Sequence, residues 1–228
     1  MTFSVSGSSK IKICGIMDDA TLQGMSGLPV EYIGFMFAKS RRQLTPERAA
    51  ELLAVVKQIP MASGNPPLAV GIFVNPTLEQ LAETLSVVSL DVVQLHGDET
   101  PEFCRQVGER FKVDVWRALP ILEDTANQPD RGTQRLDAYK GAVSTILLDT
   151  AGGGTGKTFR WDVIPSYQEA AIRNGLELFI AGGLNPGNVN ELITTYHPVG
   201  VDISSGVETD GVKDSHKITA FVERVKYS

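Results

Sequence analysis

Leu178–Glu208, LFIAGGLNPGNVNELITTYHPVGVDISSGVE, contains two short apolar runs, Leu178–Ala181 and Val199–Ile203, each closed by a turn of small residues. The first turn is Gly182-Gly183 and the second is Ser204-Ser205-Gly206. Turns without bulky side chains let backbone N–H groups converge on an anion, and a helix starting just beyond adds partial positive charge. Phosphate is the natural guest. Asn185-Pro186 reads as an N-cap and first helical residue, with the helix running to Thr195, so the unit is strand, glycine turn, helix, strand, glycine turn. Paired phosphate-binding turns after the last two strands are a property of (β/α)8 barrels. The plainer reading, that these glycines only make tight connections, suits one such turn better than a consecutive pair.

Outward from this unit the same alternation repeats. Ile11–Cys14, Tyr32–Phe37, Leu68–Val74, Val92–Leu95, Val113–Leu119 and Thr145–Leu148 read as six further strands, short apolar runs of the kind buried on both faces. Thr45-Pro46, Asn75-Pro76-Thr77 and Thr100-Pro101 are helix starts, followed by apolar residues at helical spacing to about Gln58, Leu85 and Arg110. Asp18–Gly27 forms a modest helix, and Leu136–Lys140 a weaker one after the acidic loop 123–132. Trp161–Asn174 reads as helical with Pro165 in its first turn or at a kink, and Asp214–Tyr227 closes the chain. Eight strand-helix units without a linker predict one α/β domain over 10–228, a (β/α)8 TIM barrel, preceded by a disordered tail over 1–9. An open doubly wound sheet is the competing fold.

At 228 residues and net charge −6 the chain can bury a sizeable core and offers a polyanion no general attraction. Nucleic acid and membrane surfaces are therefore excluded as expected partners, while a small anion held by local dipoles is not. Two cysteines, Cys14 and Cys104, lack metal-ligand and redox-pair spacing, so both are expected as free thiols in a cytoplasmic protein. No metal and no cofactor is expected.

In a parallel barrel, reacting groups stand at strand C-termini. Cys14 ends the first strand, Arg41 and Arg42 follow the second, His96 ends the fourth and Asp149 the sixth. A thiol and a carboxyl beside an anion site suit proton transfer on a sugar phosphate, where moving a carbonyl needs one proton removed from carbon and another delivered to oxygen. Each residue also has a structural reading: Cys14 as a small buried hydrophobe, Asp149 as a turn cap, Arg42 as solvated surface, His96 as a turn residue and Asp202 as a satisfied carboxylate inside the barrel. Ala151–Thr158, AGGGTGKT, nearly spells a nucleotide-binding P-loop, but Phe159-Arg160-Trp161 delays the helix whose N-terminus that motif needs.

Eight segments in order, KICGI (12–16), GFMFAKSRR (34–42), VGIFVN (70–75), VQLHG (93–97), LLDT (147–150), GGTGKTFRWD (153–162), AGGLNPGNV (181–189) and VDISSGVE (201–208), resemble the phosphoribosylanthranilate isomerases of tryptophan biosynthesis. The resemblance implies an Amadori rearrangement of N-(5-phosphoribosyl)anthranilate, with Cys14 as general base and Asp149 as general acid. It implies that Arg42 binds the substrate and that the backbone around Gly183 and Ser205-Gly206 holds its phosphate; His96, Gly154, Gly182, Asp202 and Ser204 are the further expected substrate contacts. A small-molecule sugar phosphate is the expected partner of a monomer or weak homodimer. The competing function is a phosphate-ligand-binding barrel without turnover. Other sugar-phosphate barrels, epimerases and indoleglycerol-phosphate synthases among them, bring metal clusters or lysine-carboxylate sets that are not evident here. Reference pKa values of about 3.9 for Asp and 8.5 for Cys oppose the required protonation pattern by roughly 6 kcal/mol, which the site must offset.

Overall fold

The computed structural model describes residues 8–121, 129–150 and 158–227. Eight parallel strands close into a barrel in sequence order, each hydrogen-bonded to the next and the last to the first. They are β1 (Lys10–Cys14), β2 (Tyr32–Met36), β3 (Leu68–Phe73), β4 (Val92–Leu95), β5 (Asp114–Ile121), β6 (Thr145–Thr150), β7 (Glu177–Ile180) and β8 (Gly200–Ile203). The helices between and after them are α1 (Asp19–Gly24), α2 (Pro46–Val56), α3 (Leu78–Val87), α4 (Pro101–Phe111), α5 (Pro129–Ala138), α6 (Ile164–Asn174), α7 (Val189–Tyr196) and α8 (Ser215–Lys226).

Caps fix most of these helix starts. Asp18, Thr45, Thr77, Thr100 and Asp214 each accept a backbone N–H from the first turn, and Thr77 with Gln80 forms a reciprocal capping box. Each such cap contributes on the order of 1 kcal/mol. Pro46 and Pro101 occupy the first turn, where a missing N–H costs nothing. Pro165 also sits in the first turn of α6, the first of the two placements expected for it, and the helix begins at Ile164 rather than Trp161 because a 3-10 turn takes up Trp161–Val163.

The barrel walls have two faces with different contents. Outward residues such as Ile11, Ile13, Val93 and Ile146 pack under the helices in one large apolar cluster. Inward residues Val70, Val92, Trp116, Ala118, Leu147, Phe179 and Ala181 form a separate cluster with Tyr32. The rings of Tyr32, Trp116 and Phe179 meet edge-on or tilted, at centroid distances of 4.8 to 5.8 Å, and plug the N-terminal half of the barrel. Gly200 makes room for this plug: a Cβ there would stand 2.3 Å from the Phe179 ring. The floor so formed separates the polar groups of the C-terminal mouth from those at the N-terminal end, such as Lys10 and Glu177.

Three local expectations need correction, and one element stands outside them. The helix expected from Asn185-Pro186 begins at Val189, because Asn185 Oδ1 accepts the Gly187 N–H and Asn188 Oδ1 accepts the Asn185 N–H, folding 185–188 into a turn. The helix expected over Leu136–Lys140 starts earlier, at Pro129, and ends at Ala138, with Gly141 left-handed just beyond. The chain is anchored from Ser9, one residue into the expected tail: its buried hydroxyl donates to the Pro198 carbonyl at 2.6 Å, and its own carbonyl accepts from Lys226. A hairpin of β9 (Glu208–Thr209) and β10 (Val212–Lys213) was not anticipated at all; Asp210 and Gly211, both at positive φ, make its two-residue turn. The tail residues 1–7, most of the acidic loop and the AGGGTGK stretch with Gly154 lie outside the described residues.

Candidate active site

Cys14 and Asp149 both project inward near the C-terminal ends of their strands, and both are buried. Beyond Cys14 the chain turns left-handed at Gly15 (φ 78°), over which the Arg42 stem passes so closely that a Cβ there would meet Cδ at 2.5 Å. Gly34, beside Cys14 on β2, leaves the space that the thiol occupies. Asp149 Oδ1 accepts the Thr150 N–H at 2.7 Å, while Oδ2 lies 3.4 Å from His96 Nε2. The histidine just after β4 and the carboxylate from β6 are thus brought together.

The two glycine turns pack against one another and connect these groups. Gly182 and Gly183 are left-handed (φ 80° and 65°), and their N–H groups find no acceptor among the described residues. A Cβ at Gly182 would stand 2.9 Å from Asp149 Oδ1, and one at Gly206 only 1.8 Å from the Leu184 carbonyl oxygen. Ser204 Oγ donates to the Cys14 carbonyl at 3.1 Å. Contacts therefore run from Asp149 through the first turn to the second, and from there to Cys14. Asn185 and Asn188 hold the Gly183 carbonyl through their amide nitrogens, which keeps it turned toward them.

Two charged groups that sequence reasoning left without a role shape this mouth. Glu208 takes the Arg42 guanidinium on both oxygens (Nε–Oε1 2.7 Å, Nη2–Oε2 3.1 Å), Lys213 Nζ at 3.0 Å, and Arg41. The Arg42 fork is therefore occupied, with Nη1 making no hydrogen bond among the described residues. Burial works against the Glu208 carboxylate, but the Arg42 and Lys213 contacts outweigh it and hold its pKa down at about 2. A folded value below the unfolded one means the contribution is complete above the ordinary glutamate range and is lost as pH falls toward 2. Between about pH 5 and pH 3 the melting temperature of the native protein should fall more steeply than that of Glu208→Gln.

The second is Lys12, fully buried, whose Nζ lies 2.9 Å from Asp202 Oδ1. Asp202 is thus engaged inside the barrel, below the mouth, rather than standing free for a ligand. The alternation in Lys10–Cys14, KIKIC, already turns Lys12 inward with Cys14, and that was the signal available for it. Cys104 is a buried hydrophobe on α4 whose thiol burial pushes up to about 11.

A further buried network braces the rim near His96. Arg117 donates to the carbonyls of Leu95, Gly97 and Ala118 and to the Tyr139 hydroxyl, and it faces Glu99 at 3.4 Å. Glu99 in turn accepts the N–H groups of Asn75 and Gly97. A cavity of about 680 Å³ lies elsewhere, at the N-terminal strand ends between Lys10, Leu176, Leu178 and Val199, remote from Cys14 and Asp149.

A closed parallel barrel with a thiol, a carboxyl and a double glycine turn at its C-terminal mouth defines a (β/α)8 enzyme of the sugar-phosphate type. The sequence model of the N-(5'phosphoribosyl)anthranilate (PRA) isomerase family matches residues 11–224. The chain belongs to that family. It is 47% identical to the N-(5'-phosphoribosyl)anthranilate isomerase of Brevibacillus brevis over 96% of this chain and 94% of that one. The enzyme of Listeria welshimeri is 43% identical over 95% and 98%. Among solved structures, a phosphoribosylanthranilate isomerase of Thermotoga maritima, described as dimeric and solved as monomers, superposes with a TM-score of 0.77 at 34% identity, covering 95% of this chain and 98% of that one. A phosphoribosyl anthranilate isomerase in complex with reduced 1-(o-carboxyphenylamino)-1-deoxyribulose 5-phosphate does so with a TM-score of 0.75, also at 34% identity and the same coverage.

Proposed function

We propose that the barrel mouth converts N-(5-phosphoribosyl)anthranilate to 1-(2-carboxyphenylamino)-1-deoxyribulose 5-phosphate, with Cys14 as proton acceptor and Asp149 as proton donor. The observation that supports this reading is the contact path from Asp149 through the paired glycine turns to the Cys14 backbone. The substrate phosphate lies on the N–H groups of Gly182, Gly183, Ser205 and Gly206, with Ser204 ordering the second turn. Protonated Asp149 donates to the ring oxygen as the furanose opens, leaving an iminium at C1. Cys14 thiolate then takes the C2 proton, which the iminium acidifies; C1 gains a proton and the C2 hydroxyl loses one, giving the ketone. His96, within reach of Asp149 Oδ2, orients the acid. Arg42 offers Nη1 to the anthranilate carboxylate, its other nitrogens being fixed by Glu208. Gly154 completes the set of proposed contacts, while Asp202 acts only indirectly, through Lys12.

Burial pushes the Cys14 thiol above its ordinary range against the pull of Lys12 and Lys213. The rate should therefore still be rising with pH in the range where an ordinary cysteine is already half ionised. Turnover of the synthetic substrate, followed by fluorescence, with complementation of a tryptophan auxotroph lacking this isomerase, separates catalysis from binding without turnover. Gly206→Ala drives the two turns apart. It should raise KM by about ten- to a hundredfold, the worth of one or two hydrogen bonds to a charged group, with a smaller change in kcat. An unchanged KM would remove the phosphate from this cradle.

No helix of the described residues is long and apolar enough to cross a membrane. We place the protein in the cytoplasm on its two free thiols, and we expect a monomer or weak homodimer, which sedimentation at two concentrations reads directly.

A further inference from the structure

We propose that Lys12 is a positioning residue for the reaction: its buried ammonium, fixed by Asp202 from the neighbouring strand, eases ionisation of the Cys14 sulfur to its proton-accepting form against the cost of burial. The proposal rests on the reading of Cys14 as the base. Lys12 and Cys14 are two residues apart on β1, so their side chains share the inward face, while Ile11 and Ile13 between and before them pack outward under the helices. Register sets Lys12 beside Asp202 on β8, and the ion pair closes at 2.9 Å. No part of the lysine is exposed.

A pair buried this deeply is poor value as a stabiliser, because apolar side chains of similar volume usually serve a core as well or better. The interior of this barrel elsewhere uses such side chains, Val70, Val92, Leu147 and Phe179 among them. An ammonium has three N–H donors, and among the described residues Asp202 is the only carboxylate hydrogen-bonded to this one. Asp202 first, and the Cys14 sulfur when it ionises, favour the charged form of Lys12 against the cost of burial.

The charged groups facing Cys14 come from three strands, Lys12 on β1, Asp202 on β8 and Lys213 on β10, with Arg42 and Glu208 one contact further out. Lys213 is committed elsewhere, donating to the Ser204 carbonyl at 2.8 Å and to Glu208 at 3.0 Å. Of the two cations, Lys12 exerts the stronger pull on the thiol, opposing both burial and the Asp202 charge. Two carboxylate-sign effects follow. Removing Lys12 should make the sulfur harder to ionise, whereas removing the Asp202 charge frees the same ammonium for the sulfur and should make ionisation easier.

The test is the pH dependence of Cys14 alkylation by iodoacetamide in the whole protein, followed by mass spectrometry so that buried Cys104 is scored separately. Lys12→Met should move the alkylation midpoint upward by about one unit or more, tenfold slower at a given pH below it, the usual effect of losing one close opposite charge. Asp202→Asn should move it downward, and Lys12→Arg should leave it near the native value. If Lys12→Met does not fold, Lys12→Met with Asp202→Asn removes both charges together, and its midpoint should still lie above native because the lysine effect is the larger. A native midpoint in folded Lys12→Met or in Lys12→Met with Asp202→Asn, or a shift of the same sign in Lys12→Met and Asp202→Asn, overturns the proposal. Alkylation reads the thiol without turnover, so a failure here is distinct from a failure of Cys14 as base, which appears as full activity in Cys14→Ala.

Discussion

Cys14→Ala and Asp149→Asn should each lower kcat by about a hundredfold to ten-thousandfold, the range that a positioned general acid or base contributes, with KM changed far less. Both side chains are buried at the mouth, and neither is the main support of a structural network. Cys14 contributes its backbone carbonyl, not its sulfur, to the Ser204 bond, and that bond survives truncation to Ala. Asp149 Oδ1 is spent on the Thr150 N–H, an interaction that an Asn carbonyl oxygen reproduces. What Asn cannot do is donate a carboxylic proton. The two losses should not add, because either step alone blocks the rearrangement, and a double variant near the level of the worse single variant is the expected result. Near-native turnover in either single variant would remove that residue from its role, and near-native turnover in both would leave the barrel without its acid-base pair.

Arg117→Met should cost about 3–5 kcal/mol of stability, since it removes one partner of a buried pair and leaves the other uncompensated. The loss is large because Arg117 satisfies three carbonyls and a tyrosine hydroxyl at once, all near the ends of β4 and β5. For a domain of this size the melting temperature should fall by roughly 10 °C. Urea unfolding at neutral pH reads the same quantity. A change under about 1 kcal/mol would mean that solvent takes over the role of the guanidinium and that Glu99 is not stranded. The functional corollary is local: His96 follows Leu95, whose carbonyl Arg117 holds, so the variant should also loosen the approach of His96 to Asp149.

Strand positions were legible because each is a short apolar run bounded by turn residues, and helix starts because threonine or aspartate caps stand before Pro or charged first turns. Closure into a barrel followed from counting units. The candidate site was legible as a grouping of residues where a polar side chain coincides with a strand end, as at Cys14, His96 and Asp149. Asn185-Pro186 misled because the same dipeptide serves a turn when a second asparagine, Asn188, completes it. The hairpin at Asp210-Gly211 was hidden by the shortness of its strands, two residues each. Glu208 and Lys12 were unassigned for a different reason. A charge reads as surface until register places a partner beside it, and Lys12 lies 190 positions from Asp202, while Glu208 lies 166 from Arg42. Long-range ion pairs of this kind leave no local pattern in the sequence.

The phosphate cradle and the acid-base pair stand or fall together in a crystal structure of the protein with the reduced product analogue bound. The expected result is a phosphate within about 3 Å of the backbone nitrogens of Gly183 and Gly206, with Cys14 Sγ against the C2 carbon and Asp149 on the opposite side of the same sugar. A phosphate seated away from both glycine turns, or a sugar touching only one of the two side chains, would contradict it.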